Sequence, residues 1–195
     1  MLGPMAMLFP EAADLPEGFA YKDEIISLAE ESALLDGARA LAFGEVRMRG
    51  QVARRRTIHF GWTYGYESSR VEPGPPLPDF LLGLRARVAS LAAVDAEALA
   101  EALVTHYPPG AGIGWHRDAP AFGVVIGVSL LSGCRFRFQQ GRGAARRTRT
   151  VTLAPRSVYV LDGAARWQWQ HAIPAGRMER YSITFRTLRR SDRAP

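Results

Sequence analysis

Ile25, Ile26, Leu28, Ala29 and Leu34 recur at three- and four-residue spacing after Asp23, which predicts an amphipathic helix that Gly37 would stop. The same spacing returns at Phe80, Leu84, Val88 and Leu91, so a second helix is expected from about Pro78 to Ala92. Pro78 suits a first turn, where its missing N–H would have no helical partner. Both helices read as scaffold. Between them the period shortens to two. Ile58, Phe60, Trp62, Tyr64 and Tyr66 alternate with Thr57, His59, Gly61, Thr63 and Gly65, the pattern of a strand or hairpin. After residue 100 come eight short runs separated by turn residues: ALVTHY, GIGWHRD, FGVVIGVSLL, CRFRFQ, TVTLAP, SVYVLDG, WQWQHAI and RYSITFR. That spacing predicts a β-sandwich or barrel-like double sheet. The fold class is therefore α+β and mainly β.

The last run is unusual. Arg180, Ser182, Thr184 and Arg186 fall on one face, and Tyr181, Ile183 and Phe185 on the other. A polar face turned to solvent would need no explanation. Lining a cavity, two guanidinium groups would demand an anion, and a small dicarboxylate matches their fork geometry. Upstream, in YPPGAGIGWHRD (residues 107–118), His116 and Asp118 stand two apart, the side-chain period of a strand. Both could face one metal ion. The chain has four histidines, at 59, 106, 116 and 171. With His171 as third ligand, the set has the two-histidine, one-carboxylate form that leaves open positions on a metal such as Fe(II).

Composition adds a partner. The 195 residues fit one domain with an ordinary soluble balance, 47% hydrophobic and 23% charged. The net charge is +6, and arginines cluster at Arg54 to Arg56, Arg146 to Arg149 and the C-terminus. Arginine favours phosphate contacts, so nucleic acid is a candidate partner. Around residues 43–66 arginines and aromatics interleave, as a base-stacking platform requires; an apolar strand face buried in the core has the same pattern. One cysteine, Cys134, excludes an intrachain disulfide and fits a reducing compartment. No signal-peptide pattern or membrane-length apolar run is present, which together predict a cytoplasmic protein with no membrane partner and no evident obligate protein partner.

YPPGAGIGWHRD, SLLSGCRFRF, LAPRSVYVLDG, the histidine before AIP and the terminal RYSITFR together resemble the AlkB family of Fe(II)- and 2-oxoglutarate-dependent dioxygenases, over about residues 54–188. The resemblance implies a double-stranded β-helix (a jelly roll) with N-terminal flanking helices and a nucleotide-recognition-lid-like hairpin. The implied layout is one domain: 1–42 extension and helix, 43–70 lid-like segment, 78–94 scaffold helix, 100–188 core. It implies His116, Asp118 and His171 as iron ligands, with 2-oxoglutarate and O₂ as co-substrates. Arg180 corresponds to the partner of the distal carboxylate of 2-oxoglutarate, Arg186 stands near the 1-carboxylate end, and the Tyr107 hydroxyl reaches the co-substrate. Thr105 replaces an asparagine common in the family. His106 is expected on the opposite strand face. The implied reaction is oxidative demethylation of alkylated bases in DNA or RNA. Trp62, Tyr64 and Tyr66 would stack on the base, and Arg117 keeps an H-R-D form found in nucleic-acid-acting relatives. Pro120 departs from the acidic residue with which base-repairing members contact the base. The alternatives are the same chemistry on a protein or small molecule, or a non-catalytic jelly-roll binding module.

Overall fold

The computed structural model describes residues 14–48, 51–65 and 70–189. In chain order their elements are β1 (Phe19–Lys22), α1 (Leu28–Arg39), β2 (Gly44–Met48), β3 (Gln51–Gly65), β4 (Arg70–Pro73), α2 (Asp79–Leu91), β5 (Leu99–Tyr107), β6 (Ile113–His116), β7 (Phe122–Leu130), β8 (Cys134–Gln140), β9 (Arg147–Leu153), β10 (Val158–Leu161), α3 (Gly163–Trp167), β11 (Gln170–Ile173) and β12 (Arg180–Leu188). The larger sheet runs β1-β10-β7-β12-β5-β3-β2, with β4 added to β3; the smaller runs β6-β11-β8-β9. The pairings are antiparallel; the eight runs form the double sheet that their spacing predicts, arranged as the double-stranded β-helix that the family resemblance implies.

Two apolar layers hold this together. On the outer face of the larger sheet, Leu34, Leu35 and Ala38 of α1 and Leu81, Leu84 and Val88 of α2 pack on Val104, Ile126, Ile183 and Phe185. Between the sheets, Val125, Phe136, Phe138, Leu153, Leu161 and Trp169 form the second core. The candidate site residues lie on this inner side.

The boundary of α1 differs from the expected one. The helix starts at Ser27, whose hydroxyl accepts from the Glu30 amide at 3.2 Å while the Glu30 carboxylate accepts from the Ser27 amide at 2.7 Å. This reciprocal capping box satisfies two N–H groups that the helix itself leaves unpaired. Gly37 lies inside the helix, because a Cβ there would stand 2.8 Å from the Phe80 ring. It is a packing glycine that lets α1 and α2 approach. Helix α2 matches its expected span to within a residue at each end.

WQWQHAI is also not one strand. The Asp162 carboxylate caps α3, which holds Trp167, and the strand begins only at Gln170. The lid-like segment is divided as well. Arg56 to Gly61 pair with β5 inside the larger sheet. At Gly61 the backbone turns left-handed, with φ +76°, where a Cβ would collide with the Ala100 carbonyl. Beyond it the strand pairs with β4 instead. Among the described residues no helix is long and apolar enough to cross a membrane.

Candidate active site

β12 is buried on both faces along most of its length, so its polar face looks into the interior between the two sheets. Register sets four rows on that face. Arg180 stands opposite Tyr107; Ser182 lies between Thr105 and Ser129; Thr184 between Leu103 and Gly127; Arg186 between Glu101 and Val125.

Facing them from the smaller sheet, His116 of β6 and His171 of β11 are direct cross-strand partners, with ring centroids 4.2 Å apart. Asp118 lies just past the end of β6, so strand periodicity does not place it; the loop does. That loop is pinned from α3, where the buried Arg166 guanidinium donates to the carbonyls of Ala119, Phe122 and Gly123 at 2.7–2.9 Å. One ligand atom from each of His116, Asp118 and His171 comes within 4.8 Å of the others.

The electrostatics suit a cation there. Arg186 donates twice to Asp118 Oδ1, at 2.9 and 2.6 Å. Oδ2 is buried without a hydrogen-bond partner, 3.4 Å from His171 Nε2. Burial alone would raise the Asp118 pKa, but Arg186, then His171 and His116, hold it far below its ordinary value. Burial pushes the His171 imidazole down to about 3, against the pull of Asp118, and lowers His116 too. His116 Nδ1 donates to the Gly114 carbonyl at 2.8 Å, which turns the Nε2 lone pair outward. Two neutral imidazoles and one bare carboxylate oxygen form a donor set that fits a divalent metal.

A candidate anion site lies at Arg180. Arg180 is 3% exposed; its Nε donates to Ser129 Oγ at 3.0 Å, and its Nη1 is buried without a hydrogen-bond partner. The guanidinium lies 5.0 Å over the Tyr107 ring. Among the described residues it has no carboxylate partner, and a buried cation in that state calls for an anion.

Arg186 has two carboxylate partners, Asp118 and Glu101, the latter at 2.7 Å. Glu101 is fully buried, and its other oxygen accepts from His59 Nδ1 at 2.8 Å. His59, Glu101, Arg186 and Asp118 therefore form one chain from β3 to the candidate metal-ligand cluster. Sequence reasoning missed Glu101. Its signal was the lone carboxylate in LAEALVTHY, on the same alternating face as Thr105 and Tyr107.

The expected substrate residues lie at the margin. Ile58 and Phe60 enter the helix-side core, so there the buried-face alternative holds. Trp62 and Tyr64 lie past Gly61 in the β3–β4 hairpin, Trp62 being 37% exposed. Tyr66 lies outside the described residues. Arg117 donates to the Gln168 carbonyl at 2.9 Å, and Pro120 is exposed. Arg54 and Arg56, with His106, Pro108 and Pro109, line an open cavity of about 440 Å³. Arg149 donates to the Asp14 carbonyl, and Arg147 to Gln140.

Comparison with known proteins bears on the fold and the family. The profile of the 2OG-Fe(II) oxygenase superfamily matches residues 23–186. The chain is 33% identical over 171 residues to tRNA (carboxymethyluridine(34)-5-O)-methyltransferase ALKBH8 of Mus musculus, covering 82% of this chain and 24% of that protein. It is 26% identical over 214 aligned positions to the Alkylated DNA repair protein ALKBH8 homolog of Arabidopsis thaliana, covering 97% and 59%. The chain thus spans only a part of these relatives. The solved structure of OsALKBH1 superposes with a TM-score of 0.67 at 14% identity, over 89% of this chain and 97% of that one. A Pseudomonas putida prolyl-4-hydroxylase does so with a TM-score of 0.62 at 17% identity, over 89% and 94%. The two structures share the jelly-roll fold with this chain. The profile match goes further: the chain belongs to the 2OG-Fe(II) oxygenase superfamily and is a 2-oxoglutarate-dependent dioxygenase, with AlkB-homologue sequences among the proteins it is similar to.

Proposed function

We propose that this dioxygenase oxidatively demethylates alkylated bases in DNA or RNA, with His116, Asp118 and His171 as its iron ligands. The observation that carries the site assignment is the bare Asp118 oxygen and two imidazoles, beside a buried arginine with an unused N–H group. Arg180 pairs with the distal carboxylate of 2-oxoglutarate, Arg186 stands at the 1-carboxylate end, and the Tyr107 hydroxyl reaches the co-substrate. Fe(II) with 2-oxoglutarate and O₂ supplies the oxidising power that hydroxylates an N-methyl carbon, whose product sheds formaldehyde. The chain's own part is to bind, orient and keep water out. Arg186 occupies one Asp118 oxygen and leaves the other for the metal. The Gly114 carbonyl fixes the His116 tautomer, and the inter-sheet core closes the cavity floor.

Support for a nucleic-acid substrate comes from three directions. The mouse and Arabidopsis relatives carry tRNA and DNA in their names. The net charge is +6, with Arg54 and Arg56 beside the cavity at the end of β5. Trp62 is exposed on the projecting hairpin, where it can stack on an unstacked base. A second reading, the same chemistry on a protein or small molecule, is favoured by Pro120, whose side chain offers a base edge no hydrogen bond.

Anaerobic Fe(II) plus 2-oxoglutarate should give the visible charge-transfer band of the chelate, and His171→Ala should abolish it. A band that survives His171→Ala overturns the ligand assignment. Methylated oligonucleotides should release formaldehyde in a 2-oxoglutarate-dependent way, with turnover about 10-fold lower in Trp62→Ala, the size of a lost base stack. Turnover only on peptides or small molecules would establish the second reading instead.

A further inference from the structure

A second tyrosine reaches the cavity. Tyr159 of β10 pairs with Gly127 of β7, and Gly127 pairs in turn with Thr184 of β12, so its side chain belongs to the cavity face of the sheet. It does not stand upright there. A Cβ on Gly127 would stand 2.3 Å from two carbons at the hydroxyl end of the Tyr159 ring and 2.5 Å from its hydroxyl oxygen. The ring therefore lies across β7, over the one residue type that permits it, with the hydroxyl end directed towards β12. Phe136 packs against it at 4.9 Å and Phe19 at 6.4 Å, which fixes the ring.

Tyr159 is 8% exposed, and among the described residues its hydroxyl makes no hydrogen bond. A buried phenol usually finds a partner, because leaving the hydroxyl unsatisfied is costly. Burial, then the Asp118 carboxylate and Tyr107, push its pKa up, so it is a neutral donor at any physiological pH. The neighbouring positions on this face are short: Thr105, Ser129, Ser182 and Thr184. Ser129 already accepts from Arg180. Gly127 and Ser129 are adjacent same-face positions on β7, about 7 Å apart. Two donors without acceptors among the described residues, the buried Arg180 Nη1 and the Tyr159 hydroxyl, thus belong to one face of the larger sheet.

We propose that the Tyr159 hydroxyl donates a hydrogen bond to an oxygen of bound 2-oxoglutarate, and that Gly127 exists to let the ring reach it. The role rests on the reading of this cavity as the 2-oxoglutarate site. Tyr159 is a binding residue for the co-substrate, and its ring closes the cavity wall between β7 and β12.

The test is 2-oxoglutarate binding by the full chain loaded with Mn(II), measured calorimetrically without turnover. Tyr159→Phe keeps the ring and removes only the donor. It should raise the Kd for 2-oxoglutarate about 10-fold, as expected for a lost hydrogen bond to a charged group, and leave Mn(II) affinity and the metal-free melting temperature unchanged. Gly127→Ala, which must displace the ring, should weaken 2-oxoglutarate binding at least as much. If Tyr159→Phe binds 2-oxoglutarate like the parent, the proposal is wrong, whatever Gly127→Ala does. If the parent itself does not bind 2-oxoglutarate, the reading of the cavity fails and the Tyr159 role falls with it.

Discussion

Asp118 gives one oxygen to the Arg186 guanidinium and keeps the other buried without a hydrogen-bond partner. His116, Asp118 and His171 are all biased toward their deprotonated forms. His171 has its pKa pushed down to about 3 by burial. In the unfolded chain the same imidazole takes a proton near 6.5. Between those values the unfolded state binds more protons than the folded one, so acidification favours unfolding. Metal-free protein should therefore lose stability as the pH falls from about 6.5 towards 3, at about 1.4 kcal/mol per pH unit from His171 alone. His116 is shifted in the same direction, and Asp118 adds to the loss below the ordinary carboxyl range. Thermal melts of the metal-free protein between pH 7.5 and 4.5 check this; a melting temperature that holds or rises on acidification would contradict it. Glu101 is the second residue with a large expected effect. Glu101→Ala leaves Arg186 with an unmatched buried N–H and should cost about 3 kcal/mol in urea unfolding. His59→Ala, at the exposed end of the same chain, should cost under about 1 kcal/mol. Equal losses from the two would mean that Glu101 does not hold Arg186.

At the level of elements, what the sequence reveals depends on how local the information is. The alternation in RYSITFR is local, and it announced a polar face with two cations that proved to be interior. The eight runs after residue 100 are local too, and each corresponds to a strand, one of them after a short helical turn. The capping box of α1 was equally available as Ser27 and Glu30, three apart, yet apolar spacing drew the helix start back to Asp23. Ser27→Ala should cost about 1 kcal/mol, measured as a shift in the urea midpoint at constant slope. A negligible shift would mean that Glu30 and its Arg87 partner, 2.5 Å away, hold the first turn unaided. Other features depend on distant partners. Gly37 looks like a helix stop until Phe80 is placed against it. His116 and His171 become neighbours only through the β6–β11 register, and Gly127 acquires meaning only under Tyr159. Glu101 stood on the right alternating face from the start, but nothing local joins it to Arg186.

Across the whole molecule, the two cores divide the labour. The helix-side core stabilises the larger sheet, and the inter-sheet core presents one chemically dense face. Gly61 sits where β3 leaves this rigid part, so the expected lid-like segment is half scaffold and half projecting hairpin. Trp62 and Tyr64 are on the projecting half and His59 on the scaffold half. Changes in the hairpin should therefore alter substrate choice before they alter stability.

The two arginines on the polar face of β12 and the two carboxylates that Arg186 holds sum to a simple balance. Asp118 and Glu101 carry two negative charges, and Arg180 and Arg186 two positive ones. Empty, this set is electroneutral. A dication alone would leave it with an excess of two positive charges, and the 2-oxoglutarate dianion alone with two negative, each in a poorly solvated interior where such an excess is costly. Arriving together they cancel. Metal and co-substrate should accordingly promote one another's binding, with 2-oxoglutarate about 10-fold or more tighter to Mn(II)-loaded than to metal-free protein and the reciprocal gain for the metal. Independent affinities, measured by calorimetry in both orders of addition, would show that some further charge compensates each ligand alone. A cavity balanced in this way favours the fully loaded state over either half-loaded one, so the oxidising centre assembles as a pair rather than piece by piece.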